Sequence, residues 1–288
     1  TCGIMPALAT GNVTLITGAE VTSILRTSSG HAAGVIVHDS SGVTEYYADQ
    51  VVLAAGAVNS AALWLRSGLP DPSGQAGRNL MLHNSQAVLA IGKERIPPGF
   101  FKTLRIMDYY HEGKNGYPLG SVQMAGQPKA AMLRGESALA RVAPSFTLRE
   151  VAERSVVFWL MTEDMPDPAN RVTISPDGMT QVSYRRNNTG PARELYREVA
   201  SLLPSLGYPL HLRKQMPLAA IAHQCGTLRM SQHPLDGVVS PLGESWEVPG
   251  LFVCDASVFP SSSAVNPALT IIANALRVAD RIIGKESA

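Results

Sequence analysis

The run Gln50-Val51-Val52-Leu53-Ala54-Ala55 is apolar at five consecutive positions and then meets Gly56-Ala57. A strand with one wet face alternates polar and apolar residues, so an unbroken run reads as a strand buried on both faces. A helical pattern follows over 59–66. A strand that runs into glycine and then a helix lets a ligand approach the backbone closely; a tight packing turn is the competing reading. Two hundred residues on, Leu251-Phe252-Val253-Cys254 repeats the pattern and ends in Asp255. Segments 13–56 and 217–283 therefore share one character, an α/β part with buried strands.

Between them the pattern changes. Around the first run, Val13-Thr14-Leu15-Ile16-Thr17 and Glu20-Val21-Thr22-Ser23-Ile24-Leu25 read as strands. Residues 34–38 and 43–47 flank a Ser/Gly turn, a hairpin. Residues 68–79 carry Gly68, Pro70, Pro72, Gly74 and Gly77, a loop and a domain boundary. From 86 to 215, apolar strands alternate with loops. Residues 171–174 and 180–184 flank Ser175-Pro176-Asp177-Gly178, a second hairpin, and a helix starts near Pro191. This middle part reads as an α+β segment built on an antiparallel sheet. The organisation is thus 1–85, 86–216 and 217–288, with the middle segment inserted between two pieces of one domain.

The last helix spans about 267–283. Leu269, Ile272, Ala273, Leu276, Ala279, Ile282 and Ile283 fall on one face. Asn266 is placed as its N-cap, Pro267 at its first position and Gly284 just past its end.

Composition excludes several classes. The 288 residues carry a formal net charge of +1 with no basic cluster longer than Arg185-Arg186, which gives no reason to expect nucleic acid as a partner. No apolar run is long enough to span a membrane. The three cysteines, Cys2, Cys225 and Cys254, show no metal-ligand spacing. Their odd number favours free thiols and a reducing, cytoplasmic setting, and Cys254 reads as a buried inert thiol. The chain starts Thr1-Cys2-Gly3 without a signal-peptide pattern, and it reads as beginning inside a fold.

Three polar residues stand out in the last third. His223 is the leading base candidate, because an imidazole accepts a proton near neutral pH; a satisfied core histidine is the competing reading. Asp255 closes a strand, either as a turn cap or as the acceptor of a ribose or ribityl hydroxyl. Asn266 precedes a helix whose N-terminus favours an anion, such as a reduced flavin. The acidic pair Asp164/Asp167 lies in a Pro-rich stretch and reads as loop.

The set His223-x-x-Gly226-Thr227, Gly250-Leu251-x-Val253-x-Asp255-Ala256-Ser257-Val258-Phe259-Pro260-Ser261 and Asn266-Pro267-x-Leu269-Thr270 resembles the C-terminal signature of the glucose–methanol–choline (GMC) oxidoreductases. Residues 52–60 resemble that family's internal strand–turn motif, and Gly77-Arg78-Asn79-Leu80-Met81-Leu82-His83 its domain-crossing segment. The resemblance implies a fold with a Rossmann-like, GMC-type α/β FAD-binding part plus an α+β antiparallel-sheet substrate domain. It implies FAD as cofactor and a small-molecule alcohol as substrate. His223 matches the residue that takes the hydroxyl proton, and Asn266 the residue that holds the alcohol oxygen. The alcohol carbon then gives a hydride to flavin N5. Val21 matches a contact to adenine, Ala55 and Gly56 contacts to the ADP part, Asp255 and Ala256 the ribityl–diphosphate region, and Asn266 and Pro267 contacts to the flavin ring.

The family's strand–GxGxxG–helix unit is missing from the sequence, whose glycines at 3, 11, 18, 30 and 34 never form it. The expectation is the C-terminal part of a longer protein, completed by an N-terminal FAD-binding segment and binding FAD weakly without it. Hydroxynitrile-lyase chemistry on the same scaffold, or a truncated interaction module, are the alternatives. Neither the particular alcohol nor the electron acceptor is specified by these residues.

Overall fold

The computed structural model describes residues 2–97 and 102–284. A short helix α1 (Ile4–Ala9) opens the chain. Strands β1 (Glu20–Arg26), β2 (Ala32–Asp39) and β3 (Gly42–Tyr47) then form an antiparallel meander in that order. The 34–47 hairpin is thus present as expected. Residues 13–17 form no strand; Val13, Leu15 and Ile16 are exposed, and without a partner edge their β-branched composition does not suffice.

Strand β4 (Val51–Leu53) is followed by helix α2 (Ala57–Arg66). Of β4 only Leu53 is buried, while Val52 is 48% exposed, so this strand is not buried on both faces as its composition suggests. The reason is topological. Among the described residues its sheet has two strands, β4 and the late strand β12 (Leu251–Val253), paired parallel with Val51 opposite Leu251 and Leu53 opposite Val253. Helix α2 buries Ala61, Ala62, Leu63 and Trp64 against a core that includes Ile24, Leu53, Leu228, Val239, Val253 and Val258.

The middle of the chain builds a five-stranded antiparallel sheet from β5 (His83–Ile91), β6 (Arg105–Ile106), β7 (Ser121–Gly126), β8 (Ser155–Glu163) and β11 (Leu210–Gln215). Its order is β11-β5-β8-β7-β6. Three short helices, α3 (Ala130–Glu136), α4 (Ala138–Val142) and α5 (Ser145–Glu153), connect β7 to β8. Helix α6 (Thr189–Leu202) presents Ala192, Leu195 and Val199, spaced three and four apart, to one face of the sheet. That face supplies Val88, Ala90, Val122, Val156, Phe158 and Leu160. The hairpin of β9 (Arg171–Ile174) and β10 (Thr180–Ser183) forms as its turn residues predict, but it packs elsewhere. Val172 and Ile174 join the α2 core, so this hairpin belongs by packing with the first unit and not with the five-stranded sheet.

The last helix, α7, runs Ala268–Ile282 with Pro267 as its N-cap and Gly284 at φ +69° past its end. Asn266 therefore does not cap it, and its side chain is engaged elsewhere. Only Val278 of α7 is buried; Leu269, Ile272 and Leu276 are exposed. The apolar face read from the sequence exists, but no described residue covers it. No helix among the described residues is long and apolar enough to cross a membrane.

Candidate active site

Side chains of paired residues in an antiparallel sheet point to the same face, and successive residues alternate. The even positions of β5, including Gln86 and Val88, are buried on the α6 side, where Gln86 Nε2 donates to the Ala192 carbonyl at 2.7 Å. The odd positions share the opposite face. His83 lies opposite Glu163, and Ala87, Trp159, Gln123 and Arg105 form a row across four strands. One face of the sheet thus carries His83, Glu163, Trp159, Gln123 and Arg105.

His83 is 1% exposed, and neither ring nitrogen makes a hydrogen bond within the described residues. Its ring meets that of His223 edge to face, centroids 4.8 Å apart at 75°. Burial and the neighbouring His223 ring hold the His83 pKa down to about 4, partly countered by the backbone at Ser263 and Val265. His83 is therefore neutral at pH 7. His223 is half-buried, and burial followed by the charge of Lys102 lowers its pKa below the usual value. It too is an unprotonated imidazole at neutral pH, with part of its surface open, which is the state a general base requires. Lys102 itself sits 5.4 Å above the Trp159 ring.

The segment that leads to Asn266 is fastened to the same sheet. Ser121 Oγ donates to the Ala264 carbonyl at 2.6 Å, and the Ser263 amide donates to Glu163 Oε1 at 3.2 Å. The Asp164 amide donates to Ser262 Oγ at 2.9 Å. The buried Asp164 carboxylate also accepts from the Leu82 amide at 2.8 Å and from the Tyr184 hydroxyl at 2.7 Å. Asp164 is therefore a brace between the crossing segment, the β10 end and the Ser262 loop. Asn266 stands at the end of this braced loop, and its Oδ1 accepts from Arg105 Nη2 at 2.7 Å.

Asp255 is buried, and its carboxylate is filled by the chain itself. Oδ1 accepts from the Ser257 amide and hydroxyl; Oδ2 accepts from the Gly56 amide at 2.8 Å and from Ser60 Oγ. A carboxylate offers about four acceptor sites, so none is left for a ribityl hydroxyl. The side chain instead ties the end of β12 to the turn after β4. Gly56 has φ +83° and ψ 157°, which only glycine adopts readily, and a Cβ there would meet nothing within 4 Å. Ala55, Gly56 and, on β1, Val21 are exposed, and Ala256 is buried against Met81 and Cys225. Pro267 starts α7, whose first turn has no side-chain cap. Close by sequence, Gly226 at φ +90° could not carry a side chain, since its Cβ would lie 2.6 Å from the Asn79 carbonyl oxygen.

Of the residues expected from the sequence, His223 and Asn266 are brought to one sheet face, His223 through His83 and Asn266 through Arg105. The second set, Ala55, Gly56 and Asp255, meets at the carboxyl ends of β4 and β12. His83, Arg105, Glu163, Ser121 and the bracing role of Asp164 were not read from the sequence. Extending the alternation of β5 back to residue 83 places His83 on the face shared by Ala87 and the other odd positions; Arg105 has no such signal, because β6 has two residues. Cys254 is half-buried and Cys225 fully so, and burial pushes the Cys225 thiol up to about 12, an inert state. A cavity of about 700 Å³ shares Glu163, Ser263 and Ala264 with this region, but neither His223 nor Asn266 lines it.

The chain is 29% identical over 304 residues to 2-methyl-1,2-propanediol dehydrogenase of Mycolicibacterium austroafricanum, covering 93% of this chain and 54% of that protein. It is 45% identical over 62 residues to a long-chain-alcohol oxidase of Arabidopsis thaliana, covering 22% and 8%. Among solved structures, pyridoxine 4-oxidase from Mesorbium loti superposes with a TM-score of 0.68 at 21% identity, covering 96% of this chain and 59% of that one, a likeness of fold. The chain spans about half the length of the curated relatives that it matches along most of its own length. Models described as GMC oxidoreductase match residues 1–85 and 209–275, together more than half of the sequence, and the chain belongs to this FAD-binding family.

Proposed function

We propose that this chain carries the proton-abstracting and oxygen-anchoring groups of an FAD-dependent alcohol oxidoreductase, with residues 1–85 and 217–288 on the cofactor side and 86–216 on the substrate side. The observation that supports this best is the half-open, neutral His223 whose ring meets buried His83 edge to face. A relative named for a diol and one named for long-chain alcohols support an alcohol as the substrate class.

The residues present fit FAD in two places. The exposed turn at Ala55 and Gly56 has an empty Cβ position and lies at the carboxyl ends of two parallel strands, where a dinucleotide approaches backbone closely. The uncapped start of α7 at Asn266 and Pro267 favours negative charge. Val21 and Ala256 complete the set, and Asp255 contributes by holding the Gly56 turn. FAD, when bound, accepts the hydride that the alcohol carbon releases.

The chain's own part is then proton and oxygen control. An unprotonated nitrogen of His223 takes the hydroxyl proton, and Asn266 donates an amide hydrogen bond to the oxygen on which charge builds. His83, neutral and enclosed, fixes the His223 ring without competing for the proton.

The test uses the whole protein loaded with FAD. Alcohol added without oxygen bleaches the flavin, and His223→Ala slows bleaching by roughly 10²–10⁴-fold. In the parent, kcat/KM falls with decreasing pH along a limb whose midpoint lies below 6.5, as the lowered pKa of His223 requires. Unchanged bleaching in His223→Ala removes this residue from the role of base.

A further inference from the structure

We propose that Arg105 is a positioning residue for Asn266, holding its amide so that Nδ2, and not Oδ1, is presented to the substrate oxygen. The inference rests on the proposed role of Asn266 and goes beyond it by naming what sets its orientation.

An asparagine amide has two ends of similar shape and opposite hydrogen-bonding sense. Turned one way it gives a substrate oxygen a donor; turned the other way it offers an acceptor, which would accept the alcohol's O–H hydrogen bond and draw it away from His223. A guanidinium only donates. The atom of Asn266 that Arg105 Nη2 meets at 2.7 Å must therefore be Oδ1. The reversed amide would place an N–H₂ against a cation and lose a charge-assisted bond. No described residue accepts from Asn266 Nδ2, so that end is available. Arg105 comes to this position from the open sheet face, in the row with Gln123, Trp159 and Ala87. The backbone before Asn266 is held separately by Ser121 and Glu163, through the Ala264 carbonyl and the Ser263 amide. Backbone position and amide orientation thus have different supports, and removing Arg105 frees the second alone.

A double-mutant cycle in the FAD-loaded whole protein tests this. Arg105→Met is expected to lower kcat by roughly 10- to 100-fold with KM changed by less than about threefold, in the range seen when an outer support of a reacting group is lost. Arg105→Lys keeps one cationic donor and restores most of the rate. In an Asn266→Ala background, Arg105→Met has no further effect. Independently of turnover, the Asn266 Nδ2–H₂ resonances, identified by their loss in Asn266→Ala, are dispersed in the parent and Arg105→Lys and collapse to the free-amide position in Arg105→Met. Costs that add in the Asn266→Ala background, or amide resonances unmoved by Arg105→Met, overturn the proposal. A normal rate in Asn266→Ala would instead overturn the oxygen-anchoring role itself, while the amide resonances would still decide whether Arg105 orients the group.

Discussion

A buried imidazole is costly to protonate, and His83 is such a group. In the unfolded chain a histidine takes up its proton near pH 6.5, whereas in the fold His83 does so only at about 4. Between these values the unfolded state binds more protons, so stability increases with pH across that window. The contribution is complete above pH 6.5, is lost as the pH falls toward 4, and levels off below. The shift corresponds to about 3 kcal/mol at most. Denaturant unfolding of the parent and of His83→Phe, measured from pH 4 to 7.5, should show a steeper loss toward acid in the parent. Equal slopes would mean that His83 is not the group that titrates. The same residue shows the limit of reading chemistry one residue at a time. His223 stands out as a candidate through its sequence neighbours. His83 becomes meaningful only when β5 turns it toward a segment 140 residues away, and Arg105 only when its strand comes to lie across the sheet from β5.

Elements were legible where local chemistry decides them. The Ser/Gly turn between β2 and β3, the Pro-Asp-Gly turn between β9 and β10, and Gly284 after α7 all sit where their backbone preferences put them. Reading failed where tertiary partners decide. Residues 13–17 have strand composition and no strand, and Asn266 gives up the cap position because its side chain is held by Arg105. The Asp255 carboxylate belongs to this second kind. Its bonds to Gly56 and Ser60 join two elements almost 200 residues apart in sequence, and no local pattern distinguishes such a brace from a cofactor acceptor. Asp255→Asn keeps the shape but replaces an acceptor by an amide that faces the Gly56 N–H or the Ser60 hydroxyl. Loss of a buried bond of this kind costs about 1–3 kcal/mol, and the turn after β4 loosens. Thermal unfolding should shift down accordingly, and amide exchange should speed up at Ala55 and Gly56 more than in the five-stranded sheet. Faster exchange spread evenly over the chain would argue against the brace.

At the scale of the whole molecule, the changes of pattern near 86 and 217 mark the inserted segment, whereas the pairing of β4 with β12 has no local signal in the sequence. What neither resemblance nor periodicity conveys is how much apolar surface remains open. Leu269, Ile272 and Leu276 follow one another at three- and four-residue spacing on α7 and are 79%, 58% and 64% exposed. A contiguous apolar stripe of this kind exceeds what scattered surface leucines produce, and open apolar surface attracts amphiphilic dyes. The 288-residue chain should therefore raise the fluorescence of anilinonaphthalene sulfonate. Leu269→Lys with Leu276→Lys should lower that signal by roughly half or more, since the two positions span the stripe. Leucine and lysine have similar helix propensity, and an exposed site has no packing to lose, so unfolding free energy should change by no more than about 0.5 kcal/mol. Dye binding that survives both substitutions would locate the open surface elsewhere, with Val13, Leu15 and Ile16 as the next exposed apolar group. Dye binding lost together with helical circular dichroism would instead mean that Leu269 and Leu276 hold α7 in place, and that its apolar face is not free in solution.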